Sequence, residues 1–366
     1  MRGHQGNEGM IKGRGPMNKI VRIADQPVGE GFPVYIIAEA GSNHNQDFEM
    51  AKTLINAAAE AGADAIKFQT FKAKNHYSRY TPDFTYLKEQ GHYQSTYELI
   101  HSLEINRDWH IQLMEYAQKC GITFFSSPCD AEAIDQLWQL GVAAFKVASF
   151  DLPDVCLIRH MAKYGKPVIL STGMANYTDI QAALQMCYDE GNGKVILLQC
   201  TSLYPAPANL SNLSAMITMR QAFGCQVGYS DHTVGDHIAI AAVALGACMI
   251  EKHFTLDRKL KGPDHGFSIE PDELAQMIRK IREIESAIGD GVKNGPRQEE
   301  LEMYQKGRRS LHVRHAVAAG DAVSWENICI KRPGYGIAPL FLEKVAGMIA
   351  KKDIPGDHWI TWEDIK

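Results

Sequence analysis

From Val34 onward, short apolar runs alternate with stretches in which hydrophobic residues return every three or four positions. The runs are Val34–Ala38, Ala63–Phe68, Ile122–Phe125, Ala143–Val147, Pro167–Leu170, Lys194–Leu198, Gln226–Tyr229 and Cys248–Lys252, eight in all. Each is bounded by Gly, Pro or Ser and is largely apolar without strict alternation, the pattern of a strand buried on both faces of a parallel sheet. Between them, Phe48, Ala51, Ile55 and Ala58 mark one helical face behind a capping Asp47. Leu274, Met277, Ile278, Ile281, Ile284 and Ile288 mark the last helix, which Pro271 opens, Asp272 and Glu273 suit at its positive end, and Gly289 stops. Eight βα units in about 255 residues predict an α/β chain folded as a TIM (β/α)8 barrel. A doubly wound open sheet is the rival, but no GxGxxG follows the first run.

Three stretches break this rhythm. Residues 1–18 are Gly-rich and polar and read as a disordered extension, with Met10 and Met17 as alternative starts. The connection 71–109 is long and carries Tyr77, Tyr80, Tyr86, His92, Tyr93 and Tyr97. A loop of that kind either helps line a polyhydroxyl pocket or is a surface decoration with short helices. Residues 290–309, rich in Gly, Pro and charges, read as a linker between a barrel over 19–289 and a small module over 310–366. At about 57 residues that module is near the lower limit for an independent core, so docking on a partner surface would help it.

Composition narrows the function classes. The chain has 38 Lys+Arg against 43 Asp+Glu, a net charge of −5, which argues against a nucleic-acid partner. No run approaches the roughly 18–20 apolar residues of a membrane span. The eight cysteines stand at wide spacings with no CxxC pair, which argues against a zinc ribbon and for reduced thiols in a cytoplasmic protein.

In TIM barrels the chemistry sits at the C-terminal ends of the strands. Those ends carry Glu39; Lys67 and Gln69; Ser126 and Ser127; Lys146, Ser149 and Asp151; Ser171 and Thr172; Thr201 and Ser202; Ser230, Asp231 and His232; and Glu251 and His253. Polar groups at all eight ends exceed what packing alone supplies, so this mouth is the expected active site. Lys67 and Lys146 end apolar strands, where an ammonium is costly without an anion, so with the surrounding hydroxyls they suit a phosphate and a carboxylate. Bridging of structural carboxylates is the plainer alternative, and a Schiff-base role for Lys146 is a third. His232 and His253, on adjacent strands beside Glu251, either hydrogen-bond structurally or hold a divalent metal that polarises a carbonyl.

The segments IIAEAGSNHNQD, ADAIKFQTF, FFSSPCD, FKVASFD, ILSTGM, LLQCTSLYPAP, VGYSDHTVGD, IEKHFTLD and KGPDHGFSIEPDEL resemble the sialic acid synthase family. The tail, AVAAGDAVSWENICIKRPGYGI, is similar to that family's C-terminal antifreeze-like (SAF) domain. The matches run in order from about Val34 to the C-terminus. The resemblance implies a synthase that condenses phosphoenolpyruvate with N-acetylmannosamine or a related acetamido sugar and water, giving a nine-carbon 2-keto acid and phosphate by C–O cleavage. It implies phosphoenolpyruvate among Lys67, Lys146, Ser127, Ser149, Ser171, Ser202 and Ser230. Manganese, or magnesium in its place, would sit on His232 and His253, with Glu39 acting on the water. Gln69, Asp151, Tyr204 and Asp264 would shape the sugar pocket, and the partner subunit's Arg332 would cover it in a domain-swapped homodimer. Asp151 is shorter than the glutamate many bacterial members carry, and Ser202 replaces a common asparagine. Legionaminic-type, pseudaminic-type and spore-coat relatives share the framework, with KGPDH leaning to the sialic or legionaminic side.

Overall fold

The computed structural model describes residues 19–89, 91 and 94–366. The expected extension over 1–18 lies outside them. The described residues fall into two compact units, one ending at Gly289 and one beginning at Asp290.

The first unit opens with a hairpin of β1 (Ile20–Ile23) and β2 (Gln26–Gly29) that hydrophobic periodicity does not reveal, because each strand has four residues. The eight expected runs follow as strands: β3 (Tyr35–Gly41), β4 (Ala65–Thr70), β5 (Thr123–Pro128), β6 (Phe145–Val147), β7 (Val168–Ser171), β8 (Val195–Cys200), β9 (Gln226–Asp231) and β10 (Met249–His253). They pair in parallel in the order β5-β4-β3-β10-β9-β8-β7-β6, and β5 lies beside β6, so the sheet curls into a nearly closed barrel. Helices face the outer surface, as a right-handed βα repeat requires.

Alternation within each strand divides the apolar side chains between two cores. Outward-facing Ile36, Ala38, Ile66, Phe68 and Phe124 pack against helical residues such as Ala51, Leu54, Ile55 and Leu113. Inward-facing Tyr35, Ile37, Ala65, Phe125, Ile169, Ile196, Leu198 and Met249 fill the barrel, joined by Val21, Ile23 and Val28 of the hairpin. At about 1.5–3 kcal/mol for each large side chain, this inner layer is a packed core rather than a pore. The hairpin closes the N-terminal end: Gln226, the first residue of β9, donates to the Lys19 carbonyl.

Capping follows the sequence. Asp47 accepts from the backbone of Glu49 and Met50 and starts the helix Phe48–Glu60. The helix Pro271–Ile288 has Pro at its first turn and a Glu270/Glu273 capping box. Its apolar stripe is shorter than expected, because Ile284 is only half-buried and Ile288 is exposed. The connection 71–109 contains short helices at Ala73–His76, Thr85–Glu89 and Thr96–Ser102. Tyr80 is exposed, Tyr97 stacks under Arg79, and His92 and Tyr93 lie outside the described residues.

The second unit has its own core of Leu311, Val313, Val317, Val323, Ile328, Ile337, Val345, Ile354, Ile360 and Ile365. Its one ladder pairs β11 (Ser310–Val313) with β12 (Ile328–Lys331) antiparallel. The stretch 290–309, expected as a linker, groups with this unit and forms a helix at Leu301–Gly307. A Glu302–Lys306 pair at 2.8 Å and Arg308 over the Tyr304 ring support that turn locally.

Candidate active site

Strand alternation sorts the polar residues at the barrel mouth into two sets. Ser126, Thr172 and Asp231 turn toward the helical layer. Ser126 shares a chain with Thr70 and His110, Thr172 donates to the Leu198 carbonyl, and Asp231 pairs with buried Lys252 at 2.8 Å. These residues buttress the wall. Lys252, which periodicity hides inside an apolar run, also donates to the Thr233 carbonyl and so ties the ends of β9 and β10 together.

The inward set converges. Lys67 Nζ is 2.6 Å from Glu39 Oε2, donates to Ser127 Oγ at 3.1 Å and lies 3.8 Å from Glu251 Oε1. Gln69 donates to Glu39 Oε1 at 2.7 Å. Lys146 Nζ stands 3.5 Å from the same Glu251 oxygen and 3.4 Å from the Val147 carbonyl. Charge-assisted hydrogen bonds normally close to about 2.7–2.9 Å, so the Lys146 ammonium is only loosely held. All four charged groups are buried. Ser149 contacts Cys200 Sγ at 2.9 Å and accepts from Gly173 N–H at 3.1 Å. No hydrogen bond among the described residues reaches Ser171 Oγ or Ser202 Oγ, although both atoms are buried. One loosely held cation, Lys146, beside the paired Lys67 and two unpartnered hydroxyls is the donor set an anion cradle requires.

Two glycines keep this space open. A Cβ on Gly173 would lie 2.4 Å from Ser202 Oγ and 2.9 Å from Ser149 Oγ. Gly41 has φ +50°, and its Cβ would approach Glu39 at 3.2 Å, Gln69 at 3.3 Å and Asp264 at 3.4 Å.

Burial and neighbouring charge set the protonation states. Burial, reinforced by Glu251, raises the Glu39 carboxyl above its usual range despite Lys67. Burial also pulls Glu251 upward, but the charges of Lys146 and Lys67 together hold it below the usual range. Burial lowers Lys146, whereas for Lys67 the charges of Glu251 and Glu39 outweigh burial and raise it. Asp264 is pushed up to about 7, first by burial and then by Glu39.

Beyond Glu251, the rings of His232 and His253 stand 5.3 Å apart. His232 Nδ1 is 2.7 Å from the Thr201 carbonyl and so carries the proton, which leaves a lone pair on Nε2. His253 Nδ1 is buried without a hydrogen bond among the described residues and lies 3.7 Å from Asp264 Oδ2. Burial lowers both imidazoles, His232 to about 4, so they are neutral donors. Neutral imidazoles with a second-shell carbonyl fit a divalent cation. Tyr204 packs on both rings, at 4.4 and 5.9 Å, with Phe267 behind it.

The loop bearing Asp264 is anchored by the SNHN segment after β3. Asn43 donates to the Phe254 carbonyl, Asn45 meets His265, and Ser268 donates to the Asp264 carbonyl. Asp151 sits across the mouth with His76 and Cys129, a grouping absent from the sequence expectations because its members come from three connections. Arg332 lies in the second unit, where its Nε donates to the Gly307 carbonyl at 2.7 Å.

Comparison with known proteins gives a consistent result. The family model described as NeuB family matches residues 54–293, and that of the SAF domain matches residues 308–366. An N,N'-diacetyllegionaminic acid synthase of Campylobacter jejuni is 44% identical over 89% of this chain and 98% of that protein. A pseudaminic acid synthase of Helicobacter pylori is 35% identical over 91% of this chain and 98% of its own length. The crystal structure of a sialic acid synthetase from Leptospira borgpetersenii in complex with citrate covers 78% of this chain and 95% of that one. It has 35% identity and a TM-score of 0.69.

Proposed function

The chain belongs to the NeuB family and is a sugar-acid-synthase enzyme, and from that premise we propose that it condenses phosphoenolpyruvate with a 2-acetamido sugar of the mannosamine type and water. The product is a nine-carbon 2-keto acid of the sialic or legionaminic class. The observation that carries this reading is the pair of buried lysines sharing Glu251 at 3.5 and 3.8 Å beside unpartnered hydroxyls.

Lys67 and Lys146 bind the phosphate and carboxylate, with Ser127, Ser149, Ser171, Ser202 and Ser230 supplying hydroxyl donors. Gln69, Asp151, Tyr204 and Asp264 orient the open-chain sugar so that its aldehyde carbon faces C3 of phosphoenolpyruvate. The C3–C1 bond forms from the enol π electrons as the aldehyde C=O π bond opens onto its oxygen, Glu39 takes a proton from the water that adds at C2, and that proton passes to the sugar alkoxide. The resulting C2–OH collapses to the ketone as the C2–O bond to phosphate breaks, and the phosphate leaves with that bonding pair and the hydroxyl proton. A divalent cation on His232 and His253, manganese or magnesium in its place, would supply polarisation of the aldehyde oxygen. We place the enzyme in the cytoplasm as a domain-swapped homodimer in which the partner subunit's Arg332 covers the sugar. The relative at 44% identity favours a diacetamido, legionaminic-type acceptor over pseudaminic-type or spore-coat acceptors.

Phosphate release from phosphoenolpyruvate with manganese and a panel of acetamido hexoses tests the reading. Release is expected with one acceptor and not without it; none with any acceptor overturns the proposal. A second reading, a Schiff-base pyruvate aldolase, draws on the lowering of Lys146 by burial. Borohydride with pyruvate then adds a covalent adduct at Lys146; full phosphate release without an adduct removes that alternative.

A further inference from the structure

His76, Cys129 and Asp151 belong to three separate connections. His76 ends the short helix after β4, Cys129 follows the last residue of β5, and Asp151 closes the turn after β6. In the ring of strands that edge is opposite β9 and β10, which carry His232 and His253. One ligand atom from each of the three lies within 4.8 Å of the others. Cys129 Sγ is 3.5 Å from one Asp151 oxygen, and His76 Nδ1 is 3.7 Å from the other. Tetrahedral zinc, with bonds of about 2.0–2.3 Å, sets its ligand atoms about 3.3–3.7 Å apart. Those two contacts fall in that range on different Asp151 oxygens, and one atom of each residue lies within 4.8 Å of the others, so a side-chain shift of about 1 Å brings all three onto one ion. The side chains of His76 and Asp151 are only 19% and 12% exposed.

We propose that His76, Cys129 and Asp151 form a second divalent-cation site that takes zinc-class ions in preference to manganese or magnesium. Sulfur and imidazole are poor ligands for hard ions but good ones for zinc and cobalt(II). Three protein ligands leave a fourth position for water, as in zinc sites that exchange ligands. On binding, the sulfur–metal bond forms as the Cys129 thiol proton leaves to solvent. A thiolate, a carboxylate and a neutral imidazole then balance the ion's two charges.

The consequence for activity rests on the function proposed above. Asp151 is there a sugar-pocket carboxylate, and an ion seated on it withdraws it from the acceptor, so zinc inhibits the sugar-dependent reaction.

Titration of the purified full-length protein with cobalt(II), without substrates, reads the site directly. A near-ultraviolet thiolate-to-cobalt band is expected to saturate at one equivalent of bound thiolate. It should disappear in Cys129→Ser, persist in Cys156→Ser at the exposed cysteine, and weaken in His76→Ala. No band, or one that survives Cys129→Ser in a protein with unchanged circular dichroism, overturns the site. In the manganese-loaded synthase, Cys129→Ser should raise the zinc needed for half-inhibition by about tenfold or more, at least what losing an outer-shell partner costs. Unchanged zinc sensitivity overturns the inhibitory role. The cobalt band needs no turnover, so its failure and a failure of the proposed function are separate results.

Discussion

At the scale of residues, Glu251 is the electrostatic hinge of the site, since Lys146 faces it at 3.5 Å while Lys67 is paired mainly with Glu39. Neutralising it leaves the buried Lys146 without a carboxylate partner, for which about 3–5 kcal/mol of destabilisation is typical. Glu251→Gln is therefore expected to lower urea stability by that order, and saturating inorganic phosphate should recover part of the loss. If phosphate stabilises the variant no more than the parent, the lysines are not the anion cradle. Gly41 acts through space it does not fill. Gly41→Ala adds a methyl group beside Glu39, Gln69 and Asp264 and forces a left-handed conformation that costs roughly 1–2 kcal/mol. Phosphate release should fall much further than thermal stability; a proportionate loss of both would mean the glycine serves the turn alone.

Secondary-structure elements were largely legible because their signals are local. Apolar runs marked all eight barrel strands, and Asp47 and Pro271 marked helix starts. The hairpin was not, since four-residue strands are shorter than any period that could identify them. The site was partly legible: strand-end position pointed to Glu39, Lys67, Lys146, His232 and His253, which meet at the mouth. Position alone could not say which strand-end residues turn outward, so Ser126, Thr172 and Asp231 were grouped with the chemistry although they brace the wall. Nor could it reveal His76 with Cys129, whose proximity is created only by the fold. One helix start also carries a pH signature. Asp130 caps Ala131–Leu140 and pairs with Arg107 at 2.6 Å. Burial pulls its carboxyl up, but Arg107 and the Ala133 N–H hold it below the usual range. Its stabilisation is thus complete above the ordinary carboxylate pKa and is lost as pH falls through the lower folded value. Asp130→Asn keeps a good cap but loses the ion pair, so it should cost about 1–3 kcal/mol at neutral pH. Thermal melts of variant and parent should converge in acid; a constant difference would assign the cost to packing.

On the scale of the whole molecule, the chain combines a barrel unit with a smaller unit that has its own core. The proposed sharing of sites across a dimer predicts that Arg332→Ala raises the KM for the sugar more than that for phosphoenolpyruvate. Mixing that variant with Glu39→Gln should restore some activity, because in one arrangement each chain supplies what the other lacks. Absence of recovery in confirmed mixed dimers would mean that Arg332 serves its own chain or none. The hairpin below the barrel has a separate consequence. Val21, Ile23 and Val28 complete the packed inner core at the far end, so the polar mouth above that core is a blind well with a single opening. Traffic through such a well is last in, first out. In the reaction proposed above, the anion seated on Lys67 and Lys146 would therefore arrive before the sugar, and the phosphate it leaves would wait for the keto acid to clear the mouth.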